Sequence, residues 1–440
     1  MTVNVYGAGL AGCEAAYQLA KRGVKVRLYD MKPHKKSPAH TSDNLAELVC
    51  SNSLKAKRVG SAAGLLKEEM RHLGSLLVSC ADKCEVPAGG ALAVDRDVFS
   101  SLVTNSIKNH ENIEFISEEV SSFSDDEISV IATGPLTSDS LSSFIAEKFG
   151  EHLSFFDAAA PIVSAESVDM EHAFFESRYG KGDGDDYLNC PMNKEEYEIF
   201  YEALVNAERA PVHEFDVRDP KVYEGCMPIE VLAQRGVDTI RFGPMKPVGL
   251  RDPKTGHRPW AVLQLRKETK SGEMYNLVGF QTNLKFPEQK RVFGLIPALK
   301  NAEFHRYGVM HRNTFINSPK LLNADFSLKS NNKIFFAGQI TGVEGYMESA
   351  SSGLIAGINA YRLATEKETV VLPQCTMIGS LSRYISDENV EDFQPMGANF
   401  GVLPSLENRP KDKALRGEMY AQRSLDSLDK FIFDNNINGV

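Results

Sequence analysis

The sequence predicts an α/β protein in which a parallel-sheet unit, assembled from both ends of the chain, is interrupted by an inserted α+β segment. Three observations carry that expectation. The apolar run Val3-Asn4-Val5-Tyr6 leads straight into Gly7-Ala8-Gly9-Leu10-Ala11-Gly12 and then into a helical pattern. Two further apolar runs, Ile128–Ala132 and Ile334–Ala337, also close on glycines. Between them, from about Ala158 to Pro319, short β-rich runs such as Trp260–Leu265 and Tyr275–Phe280 alternate with helical pieces. The expected boundaries are 1–157 for the first part of the nucleotide-binding unit, 158–319 for the insertion on the substrate side, and 320–440 for the second part with a C-terminal tail.

Size and composition set the frame. A chain of 440 residues exceeds what one ordinary core serves. With 42% hydrophobic and 25% charged residues it has the make-up of a packed protein rather than a disordered one. A net charge of −10 excludes a surface that attracts nucleic acid everywhere, so any such contact has to be a local patch. Seven scattered cysteines do not form the framework of a small secreted domain. No stretch of about 18 apolar residues predicts a membrane span, and no basic-then-apolar leader opens the chain. A reduced, cytoplasmic setting is expected, with no membrane and no obligate protein partner evident.

The elements follow in order. Gly7 supplies the tight turn after the first strand, Gly9 lets the backbone approach a pyrophosphate, and Gly12 permits close packing of helix on strand. The amides of Ala8, Leu10 and Ala11 belong to the same turn and helix start, where the dipole favours a diphosphate. The helix runs through Ala20, with Lys21 and Arg22 in its last turn and Gly23 as its stop. A second strand, Val24–Tyr29, ends in Asp30, eighteen residues after Gly12, where an acid accepts hydrogen bonds from an adenosine ribose. Strand, glycines, helix, strand and acid in that order predict dinucleotide binding.

FAD rather than NAD is favoured by what comes later. Gly134 in Thr133-Gly134-Pro135 permits a second close approach, and the run Gly338-Gln339-Ile340-Thr341-Gly342-Val343-Glu344-Gly345-Tyr346 precedes a helix expected at Ser352–Leu363. A helix N-terminus aimed at a flavin stabilises the charge of its reduced form. This ATG and AGQ…G pattern resembles the two-dinucleotide-binding, Rossmann-like flavoprotein superfamily.

Two cysteines stand apart. Cys226, in Glu224-Gly225-Cys226-Met227-Pro228, precedes a short helix that Pro228 is suited to begin, and a helix N-terminus favours a thiolate. Cys50, in Leu48-Val49-Cys50-Ser51-Asn52-Ser53, has Lys55, Lys57 and Arg58 close by in sequence, and nearby cations favour the same form. Cys13 sits inside the first helix, and Cys80 and Cys84 close a Leu-rich helix without the further ligands a metal needs. No metal is expected.

The charge is uneven. Lys246–Lys320 holds fourteen Lys and Arg against five Asp and Glu, a net +9, so the remainder carries −19. That contrast suggests a footprint for a phosphate backbone, with Arg251, Lys254 and Arg258 in the loop Gly249–Trp260 as candidate contacts.

Longer runs then identify a resemblance. GAGLAGCEAA (Gly7–Ala16), AELVCSNSLK (Ala46–Lys55), VPAGGALAVDRDVF (Val86–Phe99), EGCMPIE (Glu224–Glu230), FGPMKPVGL (Phe242–Leu250), MHRNTFINSP (Met310–Pro319), AGQITGVEGYMESA (Ala337–Ala350) and QPMGANFG (Gln394–Gly401) are similar to runs of the bacterial folate- and FAD-dependent tRNA (uracil-5-)-methyltransferase family, nearly end to end. The resemblance implies 5-methyluridine formation in the tRNA T-loop (position 54), with 5,10-methylenetetrahydrofolate as one-carbon donor, FAD as redox cofactor and NADPH or NADH as reductant. It implies Cys226 as nucleophile, Cys50 as proton acceptor or flavin-side partner, and Tyr346 near the flavin. His311 and Arg312 are implied more weakly as folate or RNA contacts. The chemistry needs two such groups: carbon 5 of uracil becomes nucleophilic only after a thiolate adds at carbon 6, and its proton must then be removed.

Other readings stay open at this level. The same chemistry on a uridine of large-subunit rRNA would differ only in RNA contacts, and a FAD-dependent small-molecule oxidoreductase would share the nucleotide site. The larger flavoprotein that modifies wobble uridines shares the glycine-rich start but lacks the EGCMPIE context and carries a long C-terminal extension, whereas 83 residues follow Gly357 here.

Overall fold

In the computed structural model, which describes residues 1–37, 39–150, 153–180, 186–211, 227–390 and 393–437, five strands form one parallel sheet. Their spatial order is Ile334–Phe336, Ser129–Ile131, Thr2–Tyr6, Lys25–Asp30 and Ile113–Ser117. The central strand is buried on both faces, through Val3 and Val5 on one and Asn4 and Tyr6 on the other, as a parallel strand covered on both sides must be. The α/β class with a parallel sheet is therefore observed, and the strand from the far end of the chain completes it.

Two helices fix the site relative to that sheet. The first spans Leu10–Ala20, and the second spans Tyr346–Ala364. They touch backbone to backbone: a Cβ on Gly353 would stand 2.1 Å from the Ala11 carbonyl oxygen, and one on Gly357 would stand 2.7 Å from that of Ala15. Small residues four apart on each helix lie on one face and allow this approach. The second helix begins six residues earlier than the sequence suggests. Gly345, at φ +123°, turns the chain into it, and Met347, Ala350, Leu354 and Ile355 already form its buried face.

Among the described residues there are two large hydrophobic cores, besides a small cluster of Val86, Ala88 and Ala93. One is built from residues between Val3 and Ile145 together with residues between Phe315 and Ile437. The other draws only on residues between Val163 and Ala302. The second core lies on an antiparallel six-stranded sheet ordered Phe174–Phe175, Tyr187–Met192, Ala261–Lys267, Met274–Leu277, Ile162–Ser164 and Phe304–Arg306. The antiparallel ribbon of Leu153–Ala158 with Met310–Phe315 carries the chain between the two.

The tail after Lys411, without a motif in the sequence, is mostly a helix, Lys413–Asp434, capped by Asp412. Ser424 of this helix donates to Glu69 Oε1 at 2.6 Å, and the same buried carboxylate receives the amides of Met377 and Ile378 at 2.6 and 2.9 Å. Glu69 thus joins the helix Ala62–His72 to the N-terminus of Met377–Tyr384 and to the last helix. Pro228 caps the helix Ile229–Gln234 rather than opening its first turn. Among the described residues no helix is long and apolar enough to cross a membrane, and no group of three His, Cys, Asp or Glu could hold a metal ion.

Candidate active site

The glycine turn has the geometry its residues require. Gly7 sits at φ +97°, and a Cβ there would lie 2.6 Å from the Ala132 carbonyl oxygen. A Cβ on Gly12 would lie 1.7 Å from the Gly7 oxygen, so helix and strand pack as closely as backbone allows. A Cβ on Gly9 or Gly134 would meet no atom within 4 Å, so those two backbones border a cradle that a side chain would fill. Asp30 ties the turn to the second strand, receiving the Ala8 amide at 2.7 Å and the Lys32 amide at 2.9 Å. Tyr29, Asp30, Thr133 and Thr137 border a cavity of about 60 Å³ at this end. These residues fit the adenosine and diphosphate of FAD. Cys13 lies behind the turn, its thiol donating to the Ala8 oxygen at 3.2 Å, and burial pushes that thiol well up, which makes it inert.

Leu136 borders this cavity and also a second one, of about 270 Å³. The second cavity draws its walls from both cores: Cys50, Ser51, Lys55, Gln339, Glu344 and Tyr346 on one side, Ala158, Ala159 and Gln281 on the other, with Asn313 from the connecting ribbon. Gly345 leaves no room for a side chain, since a Cβ would lie 2.1 Å from Glu348 Oε2 and 2.6 Å from Lys55 Nζ. Lys55 holds a left-handed φ of +63°, and its ammonium stands 2.6 Å from the buried carboxylate of Glu348. Gln339 donates to Glu344 at 2.6 Å, and the QPMGANFG run lies beneath, its Ala398 amide donating to Glu348 at 3.0 Å.

At the centre of this wall Cys50 meets Tyr346. The tyrosine hydroxyl receives the amides of Cys50 and Ser51 at 2.8 and 3.1 Å and lies 3.1 Å from the Cys50 sulfur. A phenol has one proton and two acceptor positions. With both acceptor positions used by amides, its proton is left for the sulfur. Burial and the adjoining Cys50 push the phenol well above its ordinary value, so it stays a donor.

Cations far from Cys50 in sequence act on it. Lys55 pairs with Glu348, and Lys57 pairs with Glu85. Arg96 and Arg306, distant in sequence, are the guanidinium groups whose charge Cys50 feels. Arg96 donates to the Leu48 oxygen at 2.8 Å and forms a buried pair with Glu268 at 2.5 Å. Two residues before Glu268, near the end of the strand Ala261–Lys267, Arg266 donates to Asn52 Oδ1 at 2.8 Å and Ser51 Oγ at 2.9 Å, and Asn52 donates back to the Lys267 oxygen at 2.9 Å. The strand Ala261–Lys267 therefore holds the Cys50 loop from behind. The sequence reading gave no role at this cavity to Arg96, Asn52, Arg266, Glu268, Gln281 or Asn313, although Arg96, Asn52 and Asn313 lie in runs that carry the resemblance.

The remaining candidates fall into three groups. Cys226 lies outside the described residues. Its nearest described neighbours are fastened to the cavity wall: the Ile229 amide donates to the Gln281 oxygen at 2.7 Å, and Glu230 receives Thr282 Oγ1 and the Asn283 amide at 2.8 Å each. His311 and Arg312 stand opposite Asp157 and Phe156 in the connecting ribbon. Arg251, Lys254 and Arg258 lie on a loop of the second core. Lys254 and Arg258 line a separate cleft of about 600 Å³ rather than the Cys50 cavity. The +9 stretch is dispersed: Arg266 is buried behind Cys50, while Lys285 and Arg291 pair with Glu208 and Glu288.

Comparison with known proteins gives this architecture its relatives. The family described as "Glucose inhibited division protein A" matches residues 2–368. A protein of Acetivibrio thermocellus named methylenetetrahydrofolate--tRNA-(uracil-5-)-methyltransferase TrmFO is 60% identical over 431 residues, 98% of each chain. One of the same name from Pelotomaculum thermopropionicum is 58% identical over 98% of each chain. Among solved structures, Aquifex aeolicus GidA superposes with a TM-score of 0.71 at 18% identity, over 99% of this chain and 73% of that one. That likeness shows a shared fold.

Proposed function

Because the chain belongs to the TrmFO family of methylenetetrahydrofolate--tRNA-(uracil-5-)-methyltransferases, we propose that it methylates carbon 5 of a tRNA uridine, position 54 of the T-loop, using 5,10-methylenetetrahydrofolate. In this reading residues 158–319 form the RNA-side insertion, and the enzyme works in the cytoplasm. The observation that carries it is the Cys50 thiol held against the Tyr346 hydroxyl in a cavity that adjoins a dinucleotide cradle.

The steps assign each residue a task. The Cys226 thiolate forms a bond to uracil carbon 6, and the electrons of the carbon 5–carbon 6 double bond move onto the ring as an enolate. Carbon 5 then bonds to the one-carbon unit of the folate as one of that unit's two carbon–nitrogen bonds breaks, and the second breaks after carbon 5 has lost its proton, releasing tetrahydrofolate with both electron pairs on its nitrogens. Cys50 takes the proton from carbon 5, with Tyr346, Arg96 and Arg306 favouring its thiolate beforehand. The Cys226 bond to carbon 6 breaks at the end and the thiolate is restored. When bound, FAD supplies the electron pair that completes the methyl group, with NADPH or NADH as its source. Over one turnover the uridine, methylenetetrahydrofolate, the reduced nicotinamide and one proton become 5-methyluridine, tetrahydrofolate and the oxidised nicotinamide.

The test uses folate labelled in its one-carbon unit, unmodified tRNA and NADPH, with wild type, Cys226→Ala and Cys50→Ala side by side. Label in tRNA 5-methyluridine that both substitutions abolish is expected. Label in rRNA alone would move the substrate, and nicotinamide oxidation without label in any RNA would overturn the reading in favour of a small-molecule oxidoreductase.

A further inference from the structure

A cleft larger than the one that holds Cys50 stands apart from it. It lies on the second core, has a volume of about 600 Å³, and is bordered by Lys194, Arg241, Lys254, His257, Arg258 and Trp260. Arg241 is stacked between two aromatic rings, its guanidinium carbon 3.8 Å from the centre of Trp260 and 4.8 Å from that of Phe242. Its orientation is fixed by a hydrogen bond to the Trp260 oxygen at 3.1 Å and by Asp238, also at 3.1 Å. Phe242 caps the stack with 65% of its surface exposed. Lys194 stands 5.7 Å from the Trp260 ring, and among the described residues the Arg258 side chain makes no hydrogen bond or ion pair.

Two of the three carboxylates that line the cleft, Glu196 and Asp252, receive amides of the chain itself, and the third, Glu171, is exposed. Glu196 receives the Asn193 amide at 2.8 Å, and Asp252 receives the Lys254 amide at 2.8 Å. The cleft also shares a strand pair with the Cys50 loop. Tyr187–Met192 pairs with Ala261–Lys267, with Met192 opposite Ala261 at the cleft end and Tyr187 opposite Arg266 at the Cys50 end. Five steps of strand separate those ends by about 17 Å, a span for a macromolecule rather than for one nucleotide.

We propose that the Phe242–Arg241–Trp260 stack and the cleft beside it form a second RNA subsite, which holds nucleotides other than the target uridine. Phe242 offers a stacking platform to a splayed-out base, with the guanidinium behind it polarising the ring, and Arg258 and Lys194 take adjoining phosphates. The inference rests on the RNA-methyltransferase reading.

Trp260 is the chain's single tryptophan, so its emission reports on this place alone. Unmodified tRNA added to the FAD-loaded enzyme is expected to change that emission, with a midpoint matching binding measured by filter retention. Phe242→Ala and Phe242→Leu are expected to weaken tRNA binding and raise the KM for tRNA by about tenfold with little change in kcat, while Phe242→Tyr keeps wild-type affinity. The leucine variant retains an apolar side chain, so loss there together with rescue by tyrosine separates stacking from folding. Arg258→Glu should lower the salt slope of binding by about one. Unchanged Trp260 emission at saturating tRNA, or equal affinity of the three Phe242 variants, overturns the proposal. Wild type that binds tRNA with the emission change yet transfers no label would keep the subsite and overturn the reading it rests on.

Discussion

The Tyr346 hydroxyl stands 3.1 Å from the Cys50 sulfur while accepting the amides of Cys50 and Ser51, so one phenol both fixes the loop and donates to the thiol. Tyr346→Phe removes that donor. Hydrogen bonds to a charged group are worth about 1.5 to 3 kcal/mol, so methyl transfer should slow by about 10- to 100-fold. The donated bond favours the Cys50 thiolate, and its loss makes the thiolate form at higher pH. The acid limb of the pH–rate profile is therefore expected to move upward in the variant. An unmoved limb in single-turnover assays would remove Cys50 from proton transfer.

Arg96 and Glu268 form a buried pair across the two cores. Replacing one partner leaves the other charge uncompensated, at a cost of about 3 to 5 kcal/mol. Glu268→Gln and Arg96→Met should each lower the denaturant midpoint markedly. The double substitution to Gln and Met should lose less than the sum of the two, as urea unfolding of all four proteins would show.

Glu69 carries a stability switch. Burial pushes its carboxyl up to about 7 from the ordinary 4.5, despite three donors. An acid raised in the folded state binds its proton more tightly there than in the unfolded chain. Its contribution is therefore full below the unfolded value and declines as pH rises toward 7, by roughly 3 kcal/mol in all. Glu69→Gln keeps the neutral shape, so the difference in urea midpoint between pH 5 and pH 7.5 should shrink in the variant.

Two glycines separate folding from cofactor binding. Gly12→Ala drives a methyl into the Gly7 carbonyl and should destabilise the chain by about 1 to 3 kcal/mol as well as abolish flavin. Gly9→Ala meets only open space and sits at φ −74°, so the melting temperature of flavin-free protein should barely move. Flavin content after reconstitution should nonetheless fall, and full retention would disprove the cradle.

How much of this was legible depends on distance along the chain. The turn from Val3 to Asp30 is local, and its strands, helix and glycine roles follow from spacing alone. The cations around Cys50 were legible only in part, because proximity in sequence points to Lys55, which borders the same cavity, while folding also brings Arg96 and Arg306 to the thiol. The start of the long helix was missed because Gly345 and Tyr346 look like the end of a loop until Met347 and Ala350 are seen to be buried. The phosphate footprint looked continuous in sequence, yet strand pairing sends Arg266 inward and leaves Arg258 on the surface.

The parallel sheet closes with Ile334–Phe336 laid against Ser129–Ile131, and that order sets a clock during synthesis. At about 5 to 20 residues per second, the ribosome needs roughly 10 to 40 s to make the intervening 200 or so residues. For that interval the Ser129–Ile131 edge is unpaired, and the wall of the Cys50 cavity lacks Gln339, Gly345 and Tyr346. Flavin loading is consequently a late event in the life of each chain, and the nascent half-sheet is the stage at which a chaperone or an early aggregate competes for it.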